Sequence, residues 1–159
     1  MSHISKVKYL GYTFYRHKGR CRFRVHPKSV NKMKNKIREL TDRNLGISNE
    51  IREKKYQEYV RGWVEYFRLA DMRGLLQTTD KWARRRIRAV YWKQWKRVKT
   101  RYRILRKLKI EHWRAIKLAN SRCGYWRMAE ILSTVITNKI KAKLGYTSML
   151  DYYLVVYEN

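Results

Sequence analysis

Between Trp82 and Lys99 the chain reads WARRRIRAVYWKQWKRVK, with eight Lys or Arg residues and no acid. Wound as a single helix at about 100° per residue, it gathers Ala83, Ile87, Val90 and Tyr91 on one arc, with Gln94 among them. Arg84, Arg85, Arg88, Lys93, Lys96 and Arg97 occupy the remainder. Trp82, Trp92 and Trp95 fall among those cations, outside the apolar arc, whereas an ordinary amphipathic helix buries its indoles. In that position they shelter arginine stems, pack on a second layer of protein, or stack on nucleotides; the sequence leaves these three roles open. A helix with this much unneutralised charge calls for a polyanion.

The rest of the composition agrees. Forty Lys and Arg face twelve Asp and Glu, a formal net charge of +28 over 159 residues. Solubility needs a magnitude of only about 2–8 in a small domain. Hydrophobic residues make up 44% and aromatics 14%, enough for a core, so the charge belongs to folded structure rather than to a disordered tail. Nucleic acid is the expected partner and an anionic membrane surface the runner-up. There is no apolar run of transmembrane length and no signal peptide at Met1. Cys21 and Cys123 lack zinc spacing and read as free thiols; the four histidines show no ligand pattern.

In chain order, Val7 to His26 reads as a β-hairpin. Its strands are aromatic and β-branched, Cys21, Phe23 and Val25 share a face, and the turn is His17-Lys18-Gly19. A lone hairpin is marginal in water, so this looks like the edge of a sheet whose other strands are missing. Pro27 starts a helix, with Ser29 as its cap and Val30, Met33, Ile37 and Leu40 on one face. Ser48 or Asn49 caps the next, Glu50 to Leu69, where Tyr56, Tyr59, Val60, Trp63, Tyr66 and Phe67 form the buried arc. Gly62 within it suggests close approach of another backbone. Thr79 or Asp80 is expected to cap the basic helix, and Thr100 a following one. Another helix spans Glu111 to Asn120 with Trp113 and Ile116 inward. Ser121 to Arg127 reads as a loop, Ile131 to Leu144 as a helix ended by Gly145, and Ser148 to Tyr157 as a short hydrophobic element tied to the body.

Catalytic chemistry has no visible seat. Two-metal polymerases and nucleases need clustered carboxylates, and the acids here are dispersed. No glycine-rich phosphate loop or Cys-x-x-Cys pair occurs. No catalytic residue, metal ligand or cofactor is therefore expected.

Several strings have a familiar form. YLGYTF at Tyr9 to Phe14 resembles the motif that closes the palm of group II intron reverse transcriptases. HPKS with KNKIREL resembles the start of their thumb, the maturase-specific X domain. RGWVEYF at Arg61 to Phe67, DKWARRRIR at Asp80 to Arg88 and WKQWKR at Trp92 to Arg97 resemble that domain's most characteristic segments, and GYWRMA at Gly124 to Ala129 its C-terminal extension. The resemblance implies a mainly α fold: a helical thumb-type bundle preceded by a short N-terminal β-hairpin. Residues 1–27 would be the end of a palm, 28–109 the X/thumb domain, and 110–159 a helical extension packed on it. It also implies binding of folded intron RNA to assist splicing and, in a full-length protein, a grip on an RNA/DNA template–primer.

The palm and fingers expected upstream of Tyr9 are missing from a chain that starts at Met1, so the sequence reads as a truncated reading frame or a dissected domain. The alternatives are a mobile-element remnant without function and a piece of reverse transcriptase that needs a separate palm in trans. A basic DNA-binding or ribosome-associated protein is the blander option. Expected RNA contacts are Arg84, Arg85, Arg88, Lys93, Lys96 and Arg97, then Lys32, Lys36, Arg61 and Arg68, with Trp82, Trp92 and Trp95 as candidates for base stacking. Tyr56, Tyr59, Trp63 and Phe67 are expected in the core. The setting implied is cytoplasmic, of bacterial type, or organellar; oligomeric state is not legible.

Overall fold

The computed structural model describes residues 9–137, 140 and 146–158. Two strands, β1 (Tyr12–His17) and β2 (Arg20–Val25), precede seven α-helices among the described residues: α1 (Pro27–Leu40), α2 (Asn49–Tyr66), α3 (Arg73–Gln94), α4 (Val98–Lys107), α5 (His112–Ala119), α6 (Tyr125–Ile131) and α7 (Met149–Glu158). The mainly α class with an N-terminal hairpin is as the sequence implied.

The hairpin closes through Lys18 and Gly19, at φ +48° and +75°. Two positive φ values in a two-residue loop match the right-handed twist of the flanking strands. Tyr12 pairs with Val25, and Phe14 with Phe23. Cys21, Phe23 and Val25 do share a face, but only Val25 is buried; Phe23 is 41% exposed. Several contacts fasten this ribbon to the helical body. The Tyr12 hydroxyl donates to the Tyr66 carbonyl, and the Tyr66 hydroxyl returns a bond to the Leu10 carbonyl at 2.9 Å. Tyr15 and Arg22 both donate to Asp71 Oδ2, at 2.6 and 2.9 Å. Gly11, at φ +86°, lies so close to Ser29 and the Phe67 ring that a Cβ would stand 3.0–3.1 Å from them. Val7 and Lys8 of the expected hairpin lie outside the described residues.

In α1, Met33, Ile37 and Leu40 are buried as the spacing predicts. Its cap is His26, whose Nδ1 accepts from Lys28 N, while Ser29 donates to the Gly11 carbonyl instead. Ser48 caps α2 as expected, accepting from Ile51 N. The buried row of α2 is narrower than the predicted arc: Arg52, Tyr56, Val60 and Val64 repeat every fourth residue. Tyr59 and Trp63 sit at its edge, and Tyr66 is 55% exposed because its ring turns outward to Leu10. Gly62 is exposed with no atom near its missing Cβ, so it admits no second backbone.

Helix α3 is the element around which the others assemble, with α1, α6 and α7 against it. From Ile87 to Trp92 every residue is buried, the signature of a helix covered on all sides. It begins at Arg73, well before the expected cap, and it stops at Gln94. The stretch Trp82 to Lys99 is therefore two helices rather than one. Trp95 leaves the helical region at ψ +62°, and Arg101 Nε donates to its carbonyl at 2.8 Å. Arg97 rather than Thr100 is the cap residue of α4.

Three more expectations are corrected. In α5 the inward residues are Ala115, Leu118 and Ala119, with Trp113 74% exposed. The segment read as a loop after Ser121 becomes α6 at Tyr125. Where a helix was expected to start at Ile131, α6 instead ends there and the chain passes through a 3₁₀ turn, Leu132–Thr134; Ile140 is helical, and residues 138, 139 and 141–145 of the expected helix lie outside the described set. Helix α7 is the tied-down final element anticipated, packed on α2 and α3.

Candidate nucleic-acid interface

Charge on this fold is scarcely neutralised. Among the described residues the side-chain ion pairs are Arg22–Asp71, Lys36–Glu39 and Arg85–Glu130. The described basic residues thus have few carboxylate partners, and several arginine guanidiniums lie over aromatic rings instead.

The expected RNA contacts divide into two sets. Arg84, Arg85 and Arg88 face neighbouring protein more than solvent. Arg88 is 8% exposed, and its Nε donates to the Ala129 carbonyl. Burial, followed by the nearby Arg84 and Arg85 charges, pushes its pKa below the usual arginine value. Arg85 donates to the Trp126 carbonyl at 3.2 Å, stacks 4.3 Å over the Trp126 ring and pairs with Glu130 at 2.7 Å. The reason for Arg85 and Arg88 is that α6 covers the side of α3 that the sequence left to solvent, so Arg88 is a structural cation rather than an RNA contact; Arg84 is half-buried. Lys93 is half-buried and donates to Asn44 Oδ1.

Lys96 and Arg97 are exposed at the break between α3 and α4. Lys32 is exposed beside a cleft floored by Tyr59, Trp63 and Phe67. Lys36 pairs with Glu39 at 2.7 Å. Arg61 is exposed, 5.8 Å over the Tyr152 ring, and Arg68 is exposed near the Tyr12 hydroxyl. These residues are free to meet phosphates, but their contacts tie them to different parts of the surface.

The tryptophans resolve differently from one another. Trp92 is 1% exposed and Trp95 9%, their rings edge to face at 6.1 Å. The Arg101 guanidinium covers Trp92 at 4.3 Å. A base has no access to Trp92, and the stacking role expected for Trp92 and Trp95 gives way to the second-layer packing role. Both indoles lie outside the apolar arc, yet they are buried: they pack on each other, and Arg101 of α4 reaches back over Trp92 to the Trp95 carbonyl. Trp82 is half-buried between Arg38 and Arg86, whose guanidiniums lie 5.5 and 5.4 Å from its ring.

Sequence reasoning missed a second group, gathered where the α1–α2 loop meets α3 and α6. Arg86 Nε donates to Thr41 Oγ1 at 2.7 Å and its Nη2 to the Arg38 carbonyl at 3.2 Å. Arg43 lies 4.7 Å over Tyr125. Tyr125 and Trp126 are 38% and 44% exposed. The loop is pinned by Arg52, 1% exposed, which donates to the carbonyls of Leu40, Asp42 and Leu45. The available signal was the adjacent aromatic pair in GYWR; it needed the loop reading of 121–127 to be set aside.

Among the described residues no group of three or more His, Cys, Asp or Glu is placed to hold a metal ion. They do not fit the carboxylate cluster of a polymerase metal centre. No helix among them is long and apolar enough to cross a membrane.

The family model described as group II intron, maturase-specific domain matches residues 30–110, just over half of the chain. No curated protein matches the chain at a significant level.

Proposed function

This chain belongs to the group II intron maturase-specific domain family, and we propose that it binds folded intron RNA and assists splicing by stabilising it. The observation that carries the reading is the charge: +28 on a folded helical scaffold, with three side-chain ion pairs among the described residues. Concentrated positive charge of this kind favours a polyanion by releasing its counterions. Lys32, Arg61, Arg68, Lys96 and Arg97, all exposed, are the proposed phosphate contacts. The mode of action is binding rather than catalysis by this chain.

A second reading has its own observation. The Phe14–Phe23 face of the hairpin is left partly open, with the two rings 5.4 Å apart. Such a ribbon is poised to be covered, and a reverse transcriptase palm supplied by another chain is the partner we propose for it. In that assembly the helices would grip an RNA/DNA template–primer.

The test is splicing of a group II intron precursor at a magnesium concentration where the RNA alone reacts slowly. Added protein should raise the rate. Tight binding without acceleration would leave an RNA-binding protein that is not a maturase.

A further inference from the structure

We propose that the cleft between the α1–α2 loop, α3 and α6 is a binding site for one unpaired nucleotide of an RNA, its phosphate on Arg43 and Arg86 and its base against Trp126. The proposal rests on the RNA-binding reading above and assigns it a site.

The cleft is lined by Thr41, Asp42, Arg43, Arg86, Ala89 and Trp126 and encloses about 140 Å³. That is room for a phosphate group or part of a base, not for a helix or a folded segment of another protein. Its cations are held in place before any ligand arrives. Arg86 is fixed through Thr41 and the Arg38 carbonyl, and the loop carrying Arg43 is fixed by the buried Arg52. A guanidinium whose orientation is set in advance loses less freedom when it takes an anion, and its planar fork suits phosphate oxygens.

The cluster is also short of negative charge. Arg38, Arg43, Arg85 and Arg86 converge there with Asp42 and Glu130. Asp42 spends Oδ1 on the Asn44 amide, and Glu130 is paired with Arg85. Burial, and after it the Arg38 charge, draws the Arg86 pKa below its usual value, with Arg43 adding in the same direction and Asp42 opposing. A bound phosphate would relieve that repulsion.

Tyr125 and Trp126 supply the other half. An aromatic surface beside a basic groove is the general means of holding single-stranded nucleic acid, since every base has a π-face. Both rings carry an arginine within 5 Å, at 4.7 and 4.3 Å, and both keep more than a third of their surface in solvent. RNA duplexes hide their base faces, so the ligand is an unpaired position, in a loop, bulge or end.

The experiment uses the full chain with a short single-stranded oligoribonucleotide and a blunt RNA duplex of equal length, each titrated at fixed salt. Trp126→Ala should weaken single-strand binding about tenfold, within the range for loss of one stacked base, and leave duplex binding unchanged. Trp126→Phe should restore most of the loss, and Arg43→Gln should weaken the single strand as well. Bromouridine-substituted RNA, cross-linked by ultraviolet light, should leave its adduct on the peptide containing Tyr125 and Trp126. If Trp126→Ala lowers the melting temperature, Arg43→Gln and the cross-link decide. Parent binding to the single strand that is matched by Trp126→Ala and Arg43→Gln, with an adduct elsewhere, would overturn this site and leave the RNA reading standing. Failure of the parent to bind either RNA would remove the RNA reading itself, and the site with it. Equal competition by polyglutamate would make the cleft a general anion site and overturn the nucleotide assignment.

Discussion

Asp80, inside α3, accepts the backbone N–H of Met149 at 3.0 Å, 69 residues downstream. Its other oxygen takes the Leu150 amide at 3.0 Å and the Ser148 hydroxyl at 2.8 Å. An acid that by sequence should begin its own helix instead caps α7. Amides at the start of a helix lack intrahelical acceptors, and Asp80, 3% exposed, satisfies two of them from the middle of the core.

Asp80→Ala should therefore cost about 2 kcal/mol or more, as expected for losing hydrogen bonds to a charged acceptor. Asp80→Asn keeps one acceptor oxygen and should cost less. Urea unfolding is the measurement: the midpoint should fall with the slope unchanged. A parental midpoint in Asp80→Ala would show that the α3–α7 cap is dispensable.

Trp92→Ala should destabilise the chain by about 3–5 kcal/mol, the usual penalty for truncating a fully buried aromatic. Lys96→Ala and Arg97→Ala should melt like the parent and bind RNA more weakly, each reducing the salt slope by about 0.7–0.9. Thermal melting followed by circular dichroism, run beside RNA titrations, separates the two classes. Parental melting in Trp92→Ala, with loss of RNA binding, would return that indole to the surface.

Which of these roles could be read in advance depends on how many partners an element has. Helix α1 packs one face, so the spacing of Met33, Ile37 and Leu40 sufficed. Ser48 could be recognised as a cap because capping is local, and the seats of Ala83, Ile87, Val90 and Tyr91 followed from helical periodicity. Helix α3 is covered on several sides, and one-sided periodicity then fails: Arg88 and Trp92 look like surface until α6 is placed over the first and the Arg101 side chain over the second. The break after Gln94 was hidden for the same reason, since it depends on Arg101 reaching back to Trp95. Asp80 and Arg52 act through segments distant in sequence or through loop carbonyls, which no motif encodes. At the site, exposed cations such as Lys96 and Arg97 were legible as charge. The Arg43–Arg86–Trp126 grouping was not, because its members come from three separate elements.

The hairpin should loosen in acid. Bonds from the Tyr15 hydroxyl and then the Arg22 guanidinium hold the Asp71 carboxyl below the usual carboxylate range. A group with a depressed folded pKa stabilises at pH above its unfolded value, near 3.9, and that stabilisation is lost as pH falls through the folded value. Amide resonances of β1 and β2 should thus shift below about pH 4, and Asp71→Asn should abolish the shift. Identical titrations in parent and variant would place the acid sensitivity elsewhere.

Primer extension by the purified chain should yield no template-dependent DNA. The same assay with a separately expressed reverse transcriptase palm should yield product if the hairpin face docks on it. Robust synthesis by the chain alone would overturn the assignment of binding without catalysis.

The most direct test of the account is equilibrium binding to a folded group II intron RNA and to a random-sequence RNA duplex of equal length, each across a range of salt. The five exposed candidates Lys32, Arg61, Arg68, Lys96 and Arg97, each meeting one phosphate, give a log–log slope of roughly −3.5 to −4.5. Phosphate contacts carry no sequence information, so a maturase domain must add shape and unpaired bases to them. The account predicts steep slopes on both RNAs and a preference for the intron that persists at physiological salt. A flat slope would contradict the electrostatic basis of binding, and equal affinity for both RNAs would reduce the protein to a nonspecific polyanion binder.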